Sequence, residues 1–295
     1  MRLPDNVQAY QGDFEAAMRW ALAQPDLARF MRDCYVTEDT EGDARRFAAS
    51  EEFAETLERL RRLGRGPGQG LRLLDFGCGS GIAAFAFSQA GYQVTATDLC
   101  DGTLAGTGAA RKLHAASEGR LRVLDGPWSR EADPQTYHVV YCRQVLHHLD
   151  SHLTSLVGAL ADSLTPGGVL AAVREQVIWS EAQRARLKKE HLLNALLQDE
   201  DGFYLREYQS VLRGAGLRLA HTLWPQDSAI NTYPLSLKES RQGGVLRKLG
   251  PAGLLLSSVP PLERPALRLC TYLARNRHPW HVFSFFAVKP EGGRG

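Results

Sequence analysis

The stretch that most constrains this 295-residue chain is Leu73-Leu74-Asp75-Phe76-Gly77-Cys78-Gly79-Ser80-Gly81, followed by a small, apolar run to Ala90. It reads as a short buried strand that enters a glycine turn and leaves as a helix. Glycines are needed where backbone must approach a ligand with no Cβ in the way. The first N–H groups of the following helix have no partner within it and face a polar ligand. A bare glycine pattern says little. Its place between a strand and a helix is what gives it meaning.

The rest of the chain alternates in the same way. Apolar or β-branched runs predict strands at 71–76, 92–98, 121–125, 137–142, 169–178, 217–223 and 281–289. Helical spacing predicts helices at 80–90, 103–117, 152–164, 181–197 and 205–213, the third stopped by Pro166-Gly167-Gly168. Strands separated by helices imply βαβ units. The expected fold is therefore α/β: a Rossmann-like, seven-stranded, mostly parallel sheet with helices on both faces. Residues 1–63 predict helices only, with the polar run Glu38 to Asp43 as a loop and Ser50 opening a helix before Glu51 and Glu52. The breaker-rich run from Gly64 to Gly70 is a linker. This divides the chain into a helical N-terminal cap, 1–66, and a main domain, 67–295. Within the latter, residues 224–280 exceed any ordinary connection and predict a helical insertion or lid before the last strand.

Composition narrows the class of partner. Lys and Arg number 35 against 33 Asp and Glu, a net charge of +2, too small an excess for a dedicated nucleic-acid binder. The five cysteines form no C-x-x-C pair, which suits reduced thiols in the cytoplasm. The N-terminus lacks an apolar signal core, and no run reaches the ~18 apolar residues that span a bilayer.

Two ligands compete for the glycine turn. A nicotinamide reading uses Gly79-x-Gly81-x-x-Ala84 with Asp98, and leaves Asp75 and Gly77 unexplained. D-x-G-x-G-x-G uses Asp75, Gly77, Gly79 and Gly81 together. On these residues the chain resembles the class I S-adenosylmethionine-dependent methyltransferases, as a bacterial, type 11-like domain. The resemblance implies that the turn Asp75, Phe76, Gly77, Cys78, Gly79 and Gly81 wraps the methionine and ribose of S-adenosyl-L-methionine. It implies that Asp98, 23 residues after Asp75 and followed by Leu99, grips the ribose hydroxyls. Asp125-Gly126 maps to the acid that faces adenine. Val139 to Leu149, with Cys142 and Arg143, maps to the fourth strand and its loop, and Leu164-Thr165-Pro166-Gly167-Gly168 to the turn before the fifth. Cys78 and Cys142 flank this cofactor site or fill it as small apolar groups.

A narrower resemblance, to a bacterial subgroup, rests on Arg46-Phe47-x-x-Ser50-x-x-Phe53, Arg174-Glu175-x-Val177-Ile178 and Asp227-Ser228-x-Ile230-Asn231. That subgroup carries R-E-H, H-P-L-H and G-G-E-N-A-Y. Here Gln176 replaces the first His, His191-Leu192-Leu193-Asn194 keeps one His of two, and Glu200-Asp201-Gly202-Phe203 lacks the Asn. No metal is expected.

Methyl transfer is an in-line displacement for which the protein supplies orientation and a dry site. An oxygen nucleophile calls for a base within hydrogen-bond reach. His147 or His148, after the fourth strand, is the candidate; alternatively the pair simply starts a helix. Arg174 and Glu175 are candidate substrate contacts, Arg174 for a carboxylate or phosphate, or a structural ion pair. His191, Asn231 and Tyr233 are candidate substrate residues, or a solvated face and a polar loop. Arg46 is placed to reach the cofactor carboxylate or lies on a helix surface. Trp128 and Trp179 cover a ligand or pack. The expectation is a small-molecule methyltransferase acting at oxygen, on a sugar or specialised metabolite. Its rivals are a cofactor-binding protein without turnover and an RNA or protein methyltransferase docking through the basic insertion.

Overall fold

The computed structural model of the protein describes residues 13–68, 70–197, 201–243 and 260–292. Eight strands form one sheet: β1 (Arg72–Phe76), β2 (Gln93–Thr97), β3 (Leu121–Val123), β4 (Tyr137–Arg143), β5 (Leu164–Ile178), β6 (Phe203–Tyr204), β7 (Arg218–Leu223) and β8 (His281–Val288). Seven of them follow the order β3-β2-β1-β4-β5-β8-β7, and the two-residue β6 adds to β5 off this path. The expected seven-stranded sheet is thus present with one short extra strand. Only β8 runs antiparallel, against both β5 and β7. Parallel neighbours cannot be joined by hairpins, so the helices Ile82–Gln89, Thr107–Lys112 and Leu153–Ser163 make the crossovers.

Alternation along each strand builds two cores, one per face. Leu73, Val139, Tyr141, Val169, Ala171 and Val173 face one side with Phe85 and Phe87. Leu74, Val140, Cys142, Leu170 and Ala172 face the other with Leu153, Val157, Leu160 and Leu212. The first core also takes in Tyr35, Phe47, Phe53 and Leu60 from the N-terminal helices Thr40–Ala48 and Glu51–Arg62. Ser50 caps the second of these, accepting from the Phe53 N–H at 3.1 Å, as the sequence predicts.

Local expectations fail where a side chain claims backbone donors. The polar run 38–43 is not a loop: Asp39 accepts from the Gly42 N–H at 2.9 Å and starts a helix at Thr40. The helix expected over 103–117 shrinks to Thr107–Lys112 and a short 3-10 turn. Its first turn is lost because the Leu104 and Ala105 N–H groups donate to Glu15, each at 3.1 Å. The helix expected over 181–197 breaks at His191, whose ψ of 128° is extended. The Pro-Gly-Gly turn is absorbed into β5 as a bulge: Tyr137 pairs with Leu164 and Val139 already with Val169, Gly167 lying at φ +70°. Of the 224–280 segment, residues 244–259, with Arg247 and Lys248, lie outside the described residues, as does Glu200. Its described basic residues are partly neutralised, Arg241 by Glu263 and Arg268 by Asp227.

Because the N-terminal helices share the sheet's core, Phe47→Ala is expected to cost about 3–5 kcal/mol of global stability. Urea unfolding followed by circular dichroism and by tryptophan fluorescence should show coincident transitions in the variant. Two separated transitions would make the N-terminal helices an independent unit.

Candidate active site

The glycine turn joins β1 to the helix Ile82–Gln89 and is bonded to the end of β2. The Gly77 and Cys78 N–H groups both donate to the Thr97 carbonyl at 2.9 Å. Asp98, just beyond β2, uses both carboxylate oxygens: one accepts from the Gly79 N–H at 2.7 Å, the other from the Cys100 N–H at 2.9 Å. Gly79 has φ +52°, and a Cβ there would meet nothing within 4 Å, so this backbone is open to a ligand. Gly81 differs: a Cβ would stand 2.6 Å from that of Ala110, so glycine is required by packing against the next helix.

The residues around the turn fit S-adenosylmethionine on three counts. Asp75 is buried, and its Oδ2 has no hydrogen-bond partner. Leu99 is 87% exposed, an apolar side chain next to the Asp98 carboxylate. The Gly79 Cα lies open, with no atom where a Cβ would stand. A nucleoside with polar ribose and amino-acid groups presents the matching chemistry.

Other expected cofactor residues are placed less directly. Asp125 is exposed and pairs with Arg111 at 2.6 Å. The Gly126 carbonyl accepts from Thr97 Oγ1 at 3.3 Å. Phe76 packs edge-on to Trp128, whose indole N–H donates to buried Asp133 at 3.2 Å. Cys78 and Cys142 are buried, and burial holds both thiols well above their usual pKa. Arg46 pairs with Asp43 and donates to the Arg32 carbonyl.

At the carboxyl end of β4 the chain turns through Val145 to His148. Glu175, fully buried in β5, accepts from the N–H groups of Val145 and Leu146 at 3.2 Å and of His147 at 3.1 Å. The same carboxylate pairs with His147 Nδ1 at 2.8 Å. Glu175 is therefore spent on the loop, not turned to an acceptor. His147 is buried; His148 is exposed, with ring centroids 4.2 Å apart.

Arg143, the last residue of β4, and Arg174, inside β5, converge on Glu52, which the sequence marks only as a first-turn helix acid. Arg143 donates to its two oxygens at 2.7 and 3.2 Å, and Arg174 Nη1 lies 3.8 Å from Oε2. Glu52 holds the Arg143 guanidinium charged despite burial. Tyr233 stacks on Tyr35 at 4.9 Å. Asn231 is committed to structure: its amide donates to the Leu223 and Trp224 carbonyls and its oxygen accepts from Ser284. His191 sits edge-on to Trp280 at 4.8 Å, in a different part of the chain's packing from this cluster. Trp179 packs among Trp224, Tyr272, His281 and Phe283. Among the described residues no group of three or more His, Cys, Asp or Glu is placed to hold a metal, and no helix is long and apolar enough to cross a membrane.

Burial pushes the Asp75 carboxyl up to about 7, opposed by the Ala84 N–H and by Arg143. A carboxyl with a raised folded pKa keeps its proton longer in the folded state, so stability is full at low pH and falls as pH rises towards about 7. Asp75→Asn should remove that fall and be more stable than the wild type at pH 8, by about 2–4 kcal/mol, with a smaller gap at pH 5. A wild-type Tm that drops no more than the variant's between these pH values would show the Asp75 charge to be compensated.

Residues 44–221 match a family described as methyltransferase domain. The chain is 36% identical to the ubiquinone biosynthesis O-methyltransferase of Leptothrix cholodnii over 103 residues, 34% of this chain and 42% of that protein. It is 36% identical to the Vibrio cholerae protein of the same name over 102 residues, 34% of this chain and 40% of the relative. The alignments thus span less than half the length of these curated relatives. Among solved structures, a cyclopropane synthase from Mycobacterium tuberculosis superposes with a TM-score of 0.50 at 16% identity, over 81% of this chain and 85% of that one. A Haemonchus contortus phosphoethanolamine N-methyltransferase, solved with S-adenosylhomocysteine, gives 0.50 at 20% identity over 81% and 53%. These structures share the fold. The chain belongs to the methyltransferase domain family, and the fold it adopts is that of the class I S-adenosylmethionine-dependent enzymes.

Proposed function

We propose that this protein transfers a methyl group from S-adenosylmethionine to a small-molecule acceptor, at oxygen. The observation that carries the reading is the glycine turn clamped between β1 and β2, with a buried Asp75 oxygen lacking a partner beside it. The names of the curated relatives, which act in ubiquinone biosynthesis as O-methyltransferases, support oxygen over the matched third of the chain. None of the five cysteines is in a disulfide, which supports a cytoplasmic setting.

The cofactor supplies a methyl group made electrophilic by its sulfonium. The chain's part is to hold it, orient the acceptor and take a proton. Asp75, the Gly77–Gly81 backbone, Asp98 and Leu99 hold it. Glu175 fixes the loop after β4, so that the position of His148 does not drift. His148, exposed at the carboxyl end of the sheet where open α/β folds bind ligands, takes the proton of the acceptor hydroxyl. His147, paired to Glu175, is a positioning residue.

Calorimetry should show saturable binding of S-adenosylmethionine and S-adenosylhomocysteine and none of NAD. Asp98→Ala, which frees the Gly79 and Cys100 N–H groups, should weaken both by about tenfold or more. No binding to folded protein would end the reading. In a panel of hydroxylated small molecules assayed for S-adenosylhomocysteine release, His148→Gln should lower turnover by about a hundredfold, with cofactor affinity unchanged. Unaltered turnover in that variant would exclude His148 as the base. Binding without release from any acceptor would favour a cofactor-binding protein.

A further inference from the structure

Three charged side chains meet on the sheet face that carries the N-terminal helices, and their charges do not balance. Glu52 is fully buried, and both its oxygens serve Arg143. Arg174 stands 3.8 Å from the same carboxylate. Its own hydrogen bonds go to neutral groups, the Ile230 carbonyl at 2.9 Å and the Tyr233 carbonyl at 3.2 Å. Arg174 Nε is buried and makes no hydrogen bond. Two guanidiniums against one carboxylate leave one positive charge, with side-chain exposures of only 12% and 13%. Burying a cation without a matched anion is costly, and burial and Arg143 together pull the Arg174 pKa down. The other acids on this face do not restore the balance: Asp43 pairs with Arg46 and Glu55 with Arg59, and burial holds Asp75 towards its protonated form.

The backbone pays a second cost at the same residue. Arg174 has φ +61°, inside the irregularity where β5 slips its register to β8 between Ala172 and Glu175. A left-handed conformation at a non-glycine residue is strained, and such residues cluster at ligand-binding sites. Here it lies inside β5, one residue beyond the level at which β4 ends. The Arg143–Val173 pair sets Arg143 at the matching level of β4. The stacked rings of Tyr35 and Tyr233 flank the pair, with the Arg174 guanidinium 5.8 Å from the Tyr233 centroid.

We propose that Arg174, backed by Arg143, binds the carboxylate of the methyl acceptor, so that the acceptor is a hydroxy acid and not a neutral alcohol or phenol. The proposal rests on the methyltransferase reading of this site. A guanidinium fork matches a carboxylate in shape and charge. One surplus positive charge matches a monoanion better than a phosphate dianion.

The test uses the full chain saturated with S-adenosylhomocysteine and paired probes, 3- and 4-hydroxybenzoate against their methyl esters, titrated by calorimetry. The acids should bind about tenfold or more tightly than the esters, the worth of one charge-assisted hydrogen bond. Arg174→Met should abolish that preference, and Arg174→Lys, which keeps the charge, should restore part of it. Equal binding of acid and ester, binding of neither, or an unchanged preference in Arg174→Met would overturn the proposal. A variant that weakens S-adenosylhomocysteine itself, but not its decarboxylated analogue, would overturn it too, assigning Arg174 to the carboxylate of the cofactor. Failure of the unaltered protein to bind S-adenosylhomocysteine would instead sink the methyltransferase reading. The Met and Lys variants are compared at matched Tm, so that a folding defect is not read as lost recognition.

Discussion

A fully buried carboxylate, Glu175, governs the geometry of the carboxyl edge of this sheet. It collects three successive backbone N–H groups and a histidine ring from the loop after β4. Charge-assisted hydrogen bonds of this kind are about twice as strong as neutral ones and leave a loop little freedom. The device recurs around the site. Asp98 closes the glycine turn, Glu15 unwinds the start of a helix, and Glu55 receives the Ala229 N–H. Each acid trades its charge for an irregular backbone conformation that propensity alone would not produce.

The site arises from two layers meeting at one end of the sheet. Strands β1, β2 and β4 bring Asp75, Asp98 and Arg143 to that end because parallel strands share a direction. The helix Glu51–Arg62 then lays Glu52 against Arg143 at the end of β4 and Arg174 inside β5. This ion pair joins the N-terminal helices to the sheet beside the apolar contacts of Phe47 and Phe53. Removing one partner would strand a buried charge, at a cost of about 3–5 kcal/mol. Cap and sheet therefore share one apolar core and one buried ion pair, although the glycine-rich linker between them reads as a boundary.

Much of this was legible in the residues. The strand–glycine–helix unit needed only local pattern, and so did the order of strands and crossovers. Asp75 and Asp98 could be singled out because the resemblance to D-x-G-x-G-x-G methyltransferases marks them, and their spacing fits one helix and one strand. Glu52 could not: an acid in the first turn of a helix is accounted for by capping, and nothing local says that it faces two arginines. Asn231 and Glu175 were legible as polar residues in unusual places, but their partners, Ser284 and the loop after β4, lie 53 and about 30 residues away.

Pattern and glycine chemistry by themselves determined a doubly covered parallel sheet and a nucleotide-type turn at the end of β1, because period-two and helical spacing are written in neighbouring residues. Tertiary structure alone decided the rest. It made His147 a buried anchor and left His148 exposed, split a predicted helix at His191, and left Arg174 with more charge than its surroundings balance. Those outcomes depend on which side chain reaches which backbone group across the fold, and no window along the chain contains both partners.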